Sequence, residues 1–322
     1  MDASPKPSIP KTMKAQVIDR FGSPDLLHAA DVPVPELGPN EVLIRVRTAG
    51  VGVWDPAECA GEFGDSGSFP RVLGSDGAGT VAATGVGARR FRAGDKVYAW
   101  SFLNPKGGFY ADYVAVSEDD VSAIPGGLSI EEAGALAVDG LTALAGIDRL
   151  KLEPNHTLLI LGASGGVGHL ALQLAKLRGA RVFAVASGED GVELVRRLGA
   201  NEAVEGRQGD IVAAARAFAP RGFDAALVLS GARGEDLLDL VGSGGRVAHP
   251  NGVEPEPKPR PGITVEAFDG YHGRQAFDRL GVLVSAGPFR VVVSRVYPMT
   301  DAAQALRDVK THHLGKLALR AD

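Results

Sequence analysis

The feature that most narrows the fold is the loop Gly162-Ala163-Ser164-Gly165-Gly166-Val167-Gly168, set between the apolar run TLLIL and the amphipathic stretch HLALQLAKL. Glycines 162, 165 and 168 read G-x-x-G-x-x-G. The first permits a tight turn, the second lets a pyrophosphate approach the backbone, and the third lets a helix pack closely on a strand. The helix start then offers unpaired N–H groups and the positive end of its dipole to a phosphate. A Gly-rich string alone is weak, any tight βα turn being the plain alternative. This one follows a strand, opens an amphipathic helix and sits inside a βαβ unit, which is the setting a dinucleotide-binding loop requires. Gly162, Ser164, Gly165, Gly166, Val167 and Gly168 are therefore assigned to a cofactor. Val167, Leu170, Ala171, Leu174 and Leu177 form one stripe of the helix, and His169, Gln173 and Lys176 fall on the other side, which predicts a solvated His169.

Strands and helices alternate from there on: a strand at 180–186, a helix at 190–198, a short strand near Glu202, a helix around 210–218, a strand at 224–230, a helix at 234–241, strands at 245–250 and Ile263–Ala267, and a helix at 272–286. This spacing predicts a parallel sheet. Upstream, from Met13 to about Ile124, the runs are short and β-like between Gly, Pro and Asp turns, which predicts a small barrel or sandwich. Ser129-Ile130-Glu131-Glu132 carries a capping signature, and the Ala/Leu-rich run behind it reads as helix to Leu150. RVVVSRV at 290–296 and the final helix and strand suit the first unit better, so the parallel unit is expected to be an insertion. The expected division is a loose tail over 1–12, a β unit over 13–126 plus 288–322, and a dinucleotide unit over 127–287.

Composition removes other classes. Acidic residues (39) exceed basic ones (34), for a net charge of −5, which argues against nucleic acid. Cys59 is the single cysteine. An intrachain disulfide and a four-Cys zinc site are thereby impossible, and a reducing cytoplasm is the expected location. The opening MDASPKPSIPKTMK has no apolar core, and no apolar run reaches roughly 18 residues, so no membrane is expected.

Further stretches carry a resemblance: AGVGVWDPAECAG (49–61), LGSDGAGTVAATGVGARRFRAGDKV (73–97), GGFYADYV (107–114), GLTAL (140–144), LGASGGVGHLALQLAK (161–176) and HLGKLALR (313–320). In this order the chain resembles the medium-chain dehydrogenase/reductase superfamily, and within it the zinc-independent quinone oxidoreductase-like branch. The resemblance implies an α/β fold, a Rossmann doubly wound parallel sheet inserted into a GroES-like partial β-barrel, with the active site in the cleft. It also implies a homodimer, for which the apolar edge near Ile263–Ala267 is suited. Zinc-dependent relatives carry a catalytic cysteine and a His-Glu pair where this chain has Gly52 and Ser75-Asp76, so no metal is expected. Without a Lewis acid to stabilise an alkoxide, alcohol chemistry loses ground to hydride delivery into an electrophilic π system. The expected function is NADPH-dependent reduction of a small-molecule quinone or an activated C=C bond. The alternatives are a zinc-free alcohol or sugar dehydrogenase and a cofactor-binding protein without significant catalysis, kept open by Gly52 and Ala57, where relatives carry asparagine and tyrosine.

An acid ending the second parallel strand would hold the ribose 2′-OH of NAD. Here Ala186 is followed by Ser187 and Gly188, which leave room for a 2′-phosphate and favour NADPH over NADH. The cation must arrive from elsewhere, Arg207 and Arg233 being candidates against a plain surface-charge reading. Ser230, Gly231 and Asn251 end the next strands, where open sheets bind ligands, with turn chemistry the alternative for Asn251. The resemblance implies Thr142 at the nicotinamide end and Lys316 at the cofactor, against a solvated edge-strand lysine for the latter. Asp139 is read as orienting substrate or relaying a proton, with a structural salt bridge as its alternative. Trp54 and Phe63 form an expected aromatic wall for flat substrates, against core packing. Asp55 is a loop anchor, Cys59 a candidate oxidisable thiol, and the adjacent His312 and His313 point apart. No general acid is assigned.

Overall fold

The computed structural model describes residues 9–64 and 68–321. Residues 1–8 of the expected tail lie outside them, and Thr12 already pairs with Pro33. The first stretch contains β1 (Thr12–Ile18), β2 (His28–Pro33), β3 (Glu41–Val51), α1 (Asp55–Ala60), β4 (Arg71–Val72), β5 (Asp76–Thr84), β6 (Lys96–Trp100), β7 (Tyr113–Ser117) and β8 (Val121–Ala123). Two helices follow, α2 (Ile130–Gly134) and α3 (Ala137–Arg149). Ser129 caps α2 as a capping box: its hydroxyl accepts from Glu132 N at 3.2 Å, and the Glu132 carboxylate accepts from Ser129 N at 2.7 Å.

Alternation then begins with β9 (Thr157–Leu161), α4 (Gly166–Leu177), β10 (Arg181–Ala186), α5 (Gly188–Arg197), β11 (Glu202–Glu205), α6 (Ile211–Phe218), β12 (Phe223–Val228), α7 (Gly234–Leu238), β13 (Val241–Pro250), β14 (Thr264–Phe268) and α8 (Arg274–Ser285). The six strands pair in parallel, in the order β11-β10-β9-β12-β13-β14. This is the doubly wound Rossmann sheet, whose order reverses at β9. Along β9 the side chains alternate faces: Leu158 and Ile160 join the core under α3, α4 and α8, and Leu159 and Leu161 join the core under α6 and α7.

The chain ends with β15 (Val293–Pro298), α9 (Ala302–Asp308) and β16 (Lys316–Arg320). β16 returns to the first unit, pairing antiparallel with β3 through Leu317–Val51 and Leu319–Ala49. It completes the sheet β15-β16-β3-β5-β6-β8, with β7 also on β3, while β2-β1-β4 form a separate three-stranded sheet. This is the GroES-like architecture. The two units share one core: Tyr98 of β6 meets Phe277 of α8 edge to face at 5.3 Å, and Ala78 of β5 joins the same cluster. No helix among the described residues is long and apolar enough to cross a membrane.

The expectation for the polar side of α4 fails. His169 is fully buried, not solvated. The sheet covers the apolar stripe of α4, and the segment entering β15 covers the side that patterning assigns to water. His169 Nδ1 donates to Gly165 O at 2.9 Å, and its Nε2 accepts from Val292 N at 3.0 Å. One turn on, Gln173 donates to Arg290 O and accepts from Arg290 N, both at 2.8 Å. Leu177, by contrast, is 48% exposed at the end of the stripe. Burial holds the His169 imidazole down at about 4, so the ring is neutral and can accept from Val292. His169→Ala would strand the buried Val292 N–H and open a cavity, with an expected loss of about 2–3 kcal/mol in urea unfolding; a loss below about 0.5 kcal/mol would contradict this role.

Candidate active site

β9 runs into the glycine loop, and each glycine answers to a different crowding. Gly162 stands at φ +85°, a left-handed turn. A Cβ on Gly168 would lie 2.1 Å from Gly162 O and 2.8 Å from Ala163 Cα, so α4 sits on the loop too closely for any side chain. A Cβ on Gly166 would lie 2.2 Å from an oxygen of Asp139, whereas one on Gly165 would find only Gly162 O, at 3.5 Å. The loop is therefore closed beneath and roomy at Gly165. α4 carries no side-chain cap, the condition in which a helix start takes an anion. Val167 is half-buried and packs against the core beside the loop. Ser164, 2% exposed, ties the loop to the end of β10, its hydroxyl accepting from Ser187 N at 3.3 Å.

At that strand end Gly188 turns at φ +73°, and its N–H donates to Glu205 at 3.1 Å. Arg233 donates to Gly206 O at 3.3 Å, beside this corner. Other expected cofactor positions line the same carboxyl ends of the sheet. Asn251 donates to Asp269 at 2.7 Å, and Thr142 faces Gly270, where a Cβ would come within 2.6 Å of its hydroxyl. Ser230 is half-buried. At Gly231 a Cβ would strike Glu254 O at 1.9 Å, so its missing side chain admits the Glu254–Pro255 crossing.

Beneath the loop lies a charged cluster. Lys316 is 2% exposed, which rules out the solvated edge lysine, because β16 is an interior strand covered on its inner face. Its Nζ donates to Asp76 at 2.8 Å, stands 3.6 Å from Asp139, and lies 5.2 Å from the centre of the Trp54 ring. Burial alone would lower the lysine's pKa, but Asp139 and Asp76 outweigh it and hold the ammonium above its ordinary range. Burial raises both carboxyls against the pull of Lys316. Asp139 thus makes the salt bridge named as its alternative, with its other oxygen against Gly166. Asp76 also accepts from Val138 N at 3.1 Å, and its second oxygen is buried without a hydrogen-bond partner.

Next to this cluster Asp55 accepts from Gly52 N at 2.8 Å and from the Tyr110 hydroxyl at 2.5 Å, which anchors the loop as expected. Trp54 is half-buried, with its Nε1–H donating to Ser75 Oγ at 2.9 Å. Its ring lies on Gly52, where a Cβ would be 2.2 Å from the nearest ring atom. The expected partnership with Phe63 is not found: Phe63, 43% exposed, instead meets Phe102 edge-on at 5.2 Å. Cys59 is no oxidisable surface thiol, being fully buried, donating to Ser23 O at 3.5 Å and pushed up to about 11 by burial. Sequence reasoning marked Asp76 only as a position where zinc-dependent relatives carry a ligand, and did not give it a place in the charged cluster. A lone acid among small residues in LGSDGAG was the available signal for Asp76.

These features meet in known proteins. The family profile described as "Zinc-binding dehydrogenase" matches residues 166–259, and "Alcohol dehydrogenase GroES-like domain" matches residues 38–126. The chain belongs to the medium-chain dehydrogenase/reductase superfamily, in its quinone oxidoreductase-like branch. Among its relatives is the quinone oxidoreductase of Sus scrofa, 30% identical over 313 residues, covering 93% of this chain and 94% of that one. The quinone oxidoreductase structure from Coxiella burnetii superimposes with a TM-score of 0.83 at 27% identity, covering 97% of this chain and all (100%) of that one. A solved NAD-dependent alcohol dehydrogenase gives 0.89 at 29% identity over 96% of this chain and 100% of its own. The protein is an oxidoreductase, and its family implies a nicotinamide cofactor.

Removing the cation from the cluster leaves two buried carboxylates facing each other. Lys316→Met is expected to cost about 3–5 kcal/mol in chemical unfolding, part of it recovered by adding Asp139→Asn; an unchanged midpoint would show that the cluster holds nothing together. Asp55 feels the same cluster: burial raises it from 3.8 to about 7 against the Tyr110 and Gly52 hydrogen bonds and the pull of Lys316, with Asp76 adding to the rise. The folded protein therefore binds a proton that the unfolded chain releases, and stability falls as pH rises from 3.8 toward 7. Glu58, also raised to about 7 by burial, adds to the same slope. The drop in melting temperature between about pH 5 and about pH 8 should be shallower in Asp55→Asn than in the parent; parallel curves would refute the assignment.

Proposed function

We propose that the protein is a zinc-independent, NADPH-dependent reductase that delivers hydride to a quinone or to the activated C=C bond of an α,β-unsaturated carbonyl. The observation that carries this reading is the Trp54 indole lying on Gly52 and bonded to Ser75. The residues present do not fit a catalytic zinc: Gly52 offers no donor atom, the Ser75 oxygen accepts the indole N–H, and Asp76 is taken by Lys316. Among the described residues no cluster of three or more His, Cys, Asp or Glu is arranged to hold a metal. An alkoxide would thus lack a Lewis acid, whereas a quinone or enone spreads the incoming charge toward its own oxygen.

The nicotinamide, when bound, supplies the hydride. Gly165 and the start of α4 hold the diphosphate, and Ser164, Ser187 and Gly188 border the adenosine ribose. Thr142 and Asn251 lie toward the nicotinamide end. Asp139 and Lys316 act in this reading as positioning residues, fixing α3 and β16 against Gly166, and Trp54 offers a flat apolar wall. No side chain is assigned as proton donor, so solvent protonates the product. The reading includes the unit edges near 126 and 287, a cytoplasmic setting, and a homodimer paired along β14, the edge strand of the parallel sheet.

The test is consumption of NADPH and NADH, followed by absorbance, with a panel of quinones and 2-alkenals on protein treated with EDTA. Turnover that survives chelation and prefers NADPH is expected. Oxidation of saturated alcohols with NAD, lost on chelation, would overturn the reading.

A further inference from the structure

We propose that His312 supplies the cation that recognises the 2′-phosphate of NADPH, and so sets the preference for NADPH over NADH. The inference rests on the reading above that the glycine loop holds a nicotinamide dinucleotide. In that loop's sheet, the end of β10 lies beside the adenosine ribose. It carries Ser187 and Gly188, with no acid to hold a 2′-OH and no cation of its own.

The cation comes from the other unit. The loop between α9 and β16 docks on the glycine loop, Gly315 N donating to Ser164 O at 2.8 Å. This docking brings the His312 ring onto the strand end. Its Nδ1 stands 3.3 Å from Ser187 Oγ, and a Cβ on Gly188 would lie 3.2 Å from its Cε1. Ser187 Oγ is in turn 3.5 Å from Ser164 Oγ in the phosphate loop. With 37% of its side chain exposed, His312 is open to a ligand arriving at Ser187. The two arginines near this corner are committed otherwise: Arg233 donates to Gly206 O, and Arg207 gives its backbone N–H to Glu205 and its charge helps hold that carboxylate ionised.

Two carboxylates face the same corner. Burial is the largest single influence on Glu205 and raises its pKa, but the N–H groups of Gly188, Arg207 and Gln208, which it accepts from, together with the charge of Arg207, outweigh it and lower the pKa. Asp190, on α5, takes His312 Nε2 at 3.0 Å, a bond that lowers the Asp190 pKa. Asp190 is placed on the far nitrogen and does not block the near one. In the doubly protonated ring both nitrogens donate, so Nε2 stays on Asp190 while Nδ1 presents its proton to a phosphate oxygen beside Ser187. The charge-assisted bond exists only for the phosphorylated ribose. NADH, with a hydroxyl there, gains nothing comparable.

The experiment is equilibrium titration of the full chain with NADPH, NADH, adenosine 2′,5′-bisphosphate and AMP, read by protein fluorescence. For His312→Ala, NADPH and the bisphosphate should weaken about tenfold, with NADH and AMP unchanged; His312→Arg should restore the preference. An unchanged NADPH-to-NADH ratio in His312→Ala, or equal weakening of all four ligands, would overturn the proposal. A parent protein that binds neither dinucleotide would instead sink the cofactor-site reading on which it rests.

Discussion

Lys316 is an ammonium taken almost entirely out of water, and the geometry of the site follows from the need to compensate it. Its partners come from two different parts of the architecture: Asp76 opens β5 in the barrel, and Asp139 lies in the first turn of α3. Gly50 must lack a side chain because a Cβ there would meet Asp76 at 2.4 Å and Lys316 at 2.7 Å. Gly166 must lack one because Asp139 stands against it. Two glycines and two aspartates are thus conditions for one buried lysine. Replacing such a cluster with apolar residues often stabilises a protein, so its value lies in alignment, fixing β16, β5, α3 and the cofactor loop at one point.

A second set of polar bonds works in parallel. His169 and Gln173 reach from the loop's helix to the chain entering β15, and Gly315 reaches back to Ser164. The glycine loop is therefore held from its own sheet on one side and from the returning C-terminal segment on the other. A helix start can only present N–H groups to an anion reproducibly if it does not rock, and these bonds restrain it across the unit boundary.

What was legible in the sequence was local. The glycine fingerprint, the Ser129 capping box and the strand-helix alternation each depend on residues within a few positions of one another, and their architecture followed. The surroundings of single side chains were not legible. His169 sits on a polar stripe by any helical wheel, yet its partner Val292 is 123 positions away. Lys316 sits in a terminal strand, where solvation is the ordinary outcome, yet β16 has neighbours on both edges. The surroundings of Phe63 and Cys59 were hidden for the same reason, because Phe102 and Ser23, which they meet, lie well away in the chain. The crossing of the chain at Gly231, which leaves no room for a side chain, also leaves no mark on spacing.

The pairing of β16 with β3 also bears on how the chain is made. Thr48 bonds to Leu319 across 271 positions, and Asp76 waits for Lys316 across 240. During synthesis from the N-terminus, the barrel sheet keeps an open edge at β3 and Asp76 lacks its counter-ion until β16 has emerged. The Rossmann unit, whose strands follow one another closely, has no such wait. The parallel sheet can therefore be complete while the barrel is still ajar, and the final strand acts as the closing stitch. Until β16 arrives, an intact cofactor fold can stand beside an open active-site wall.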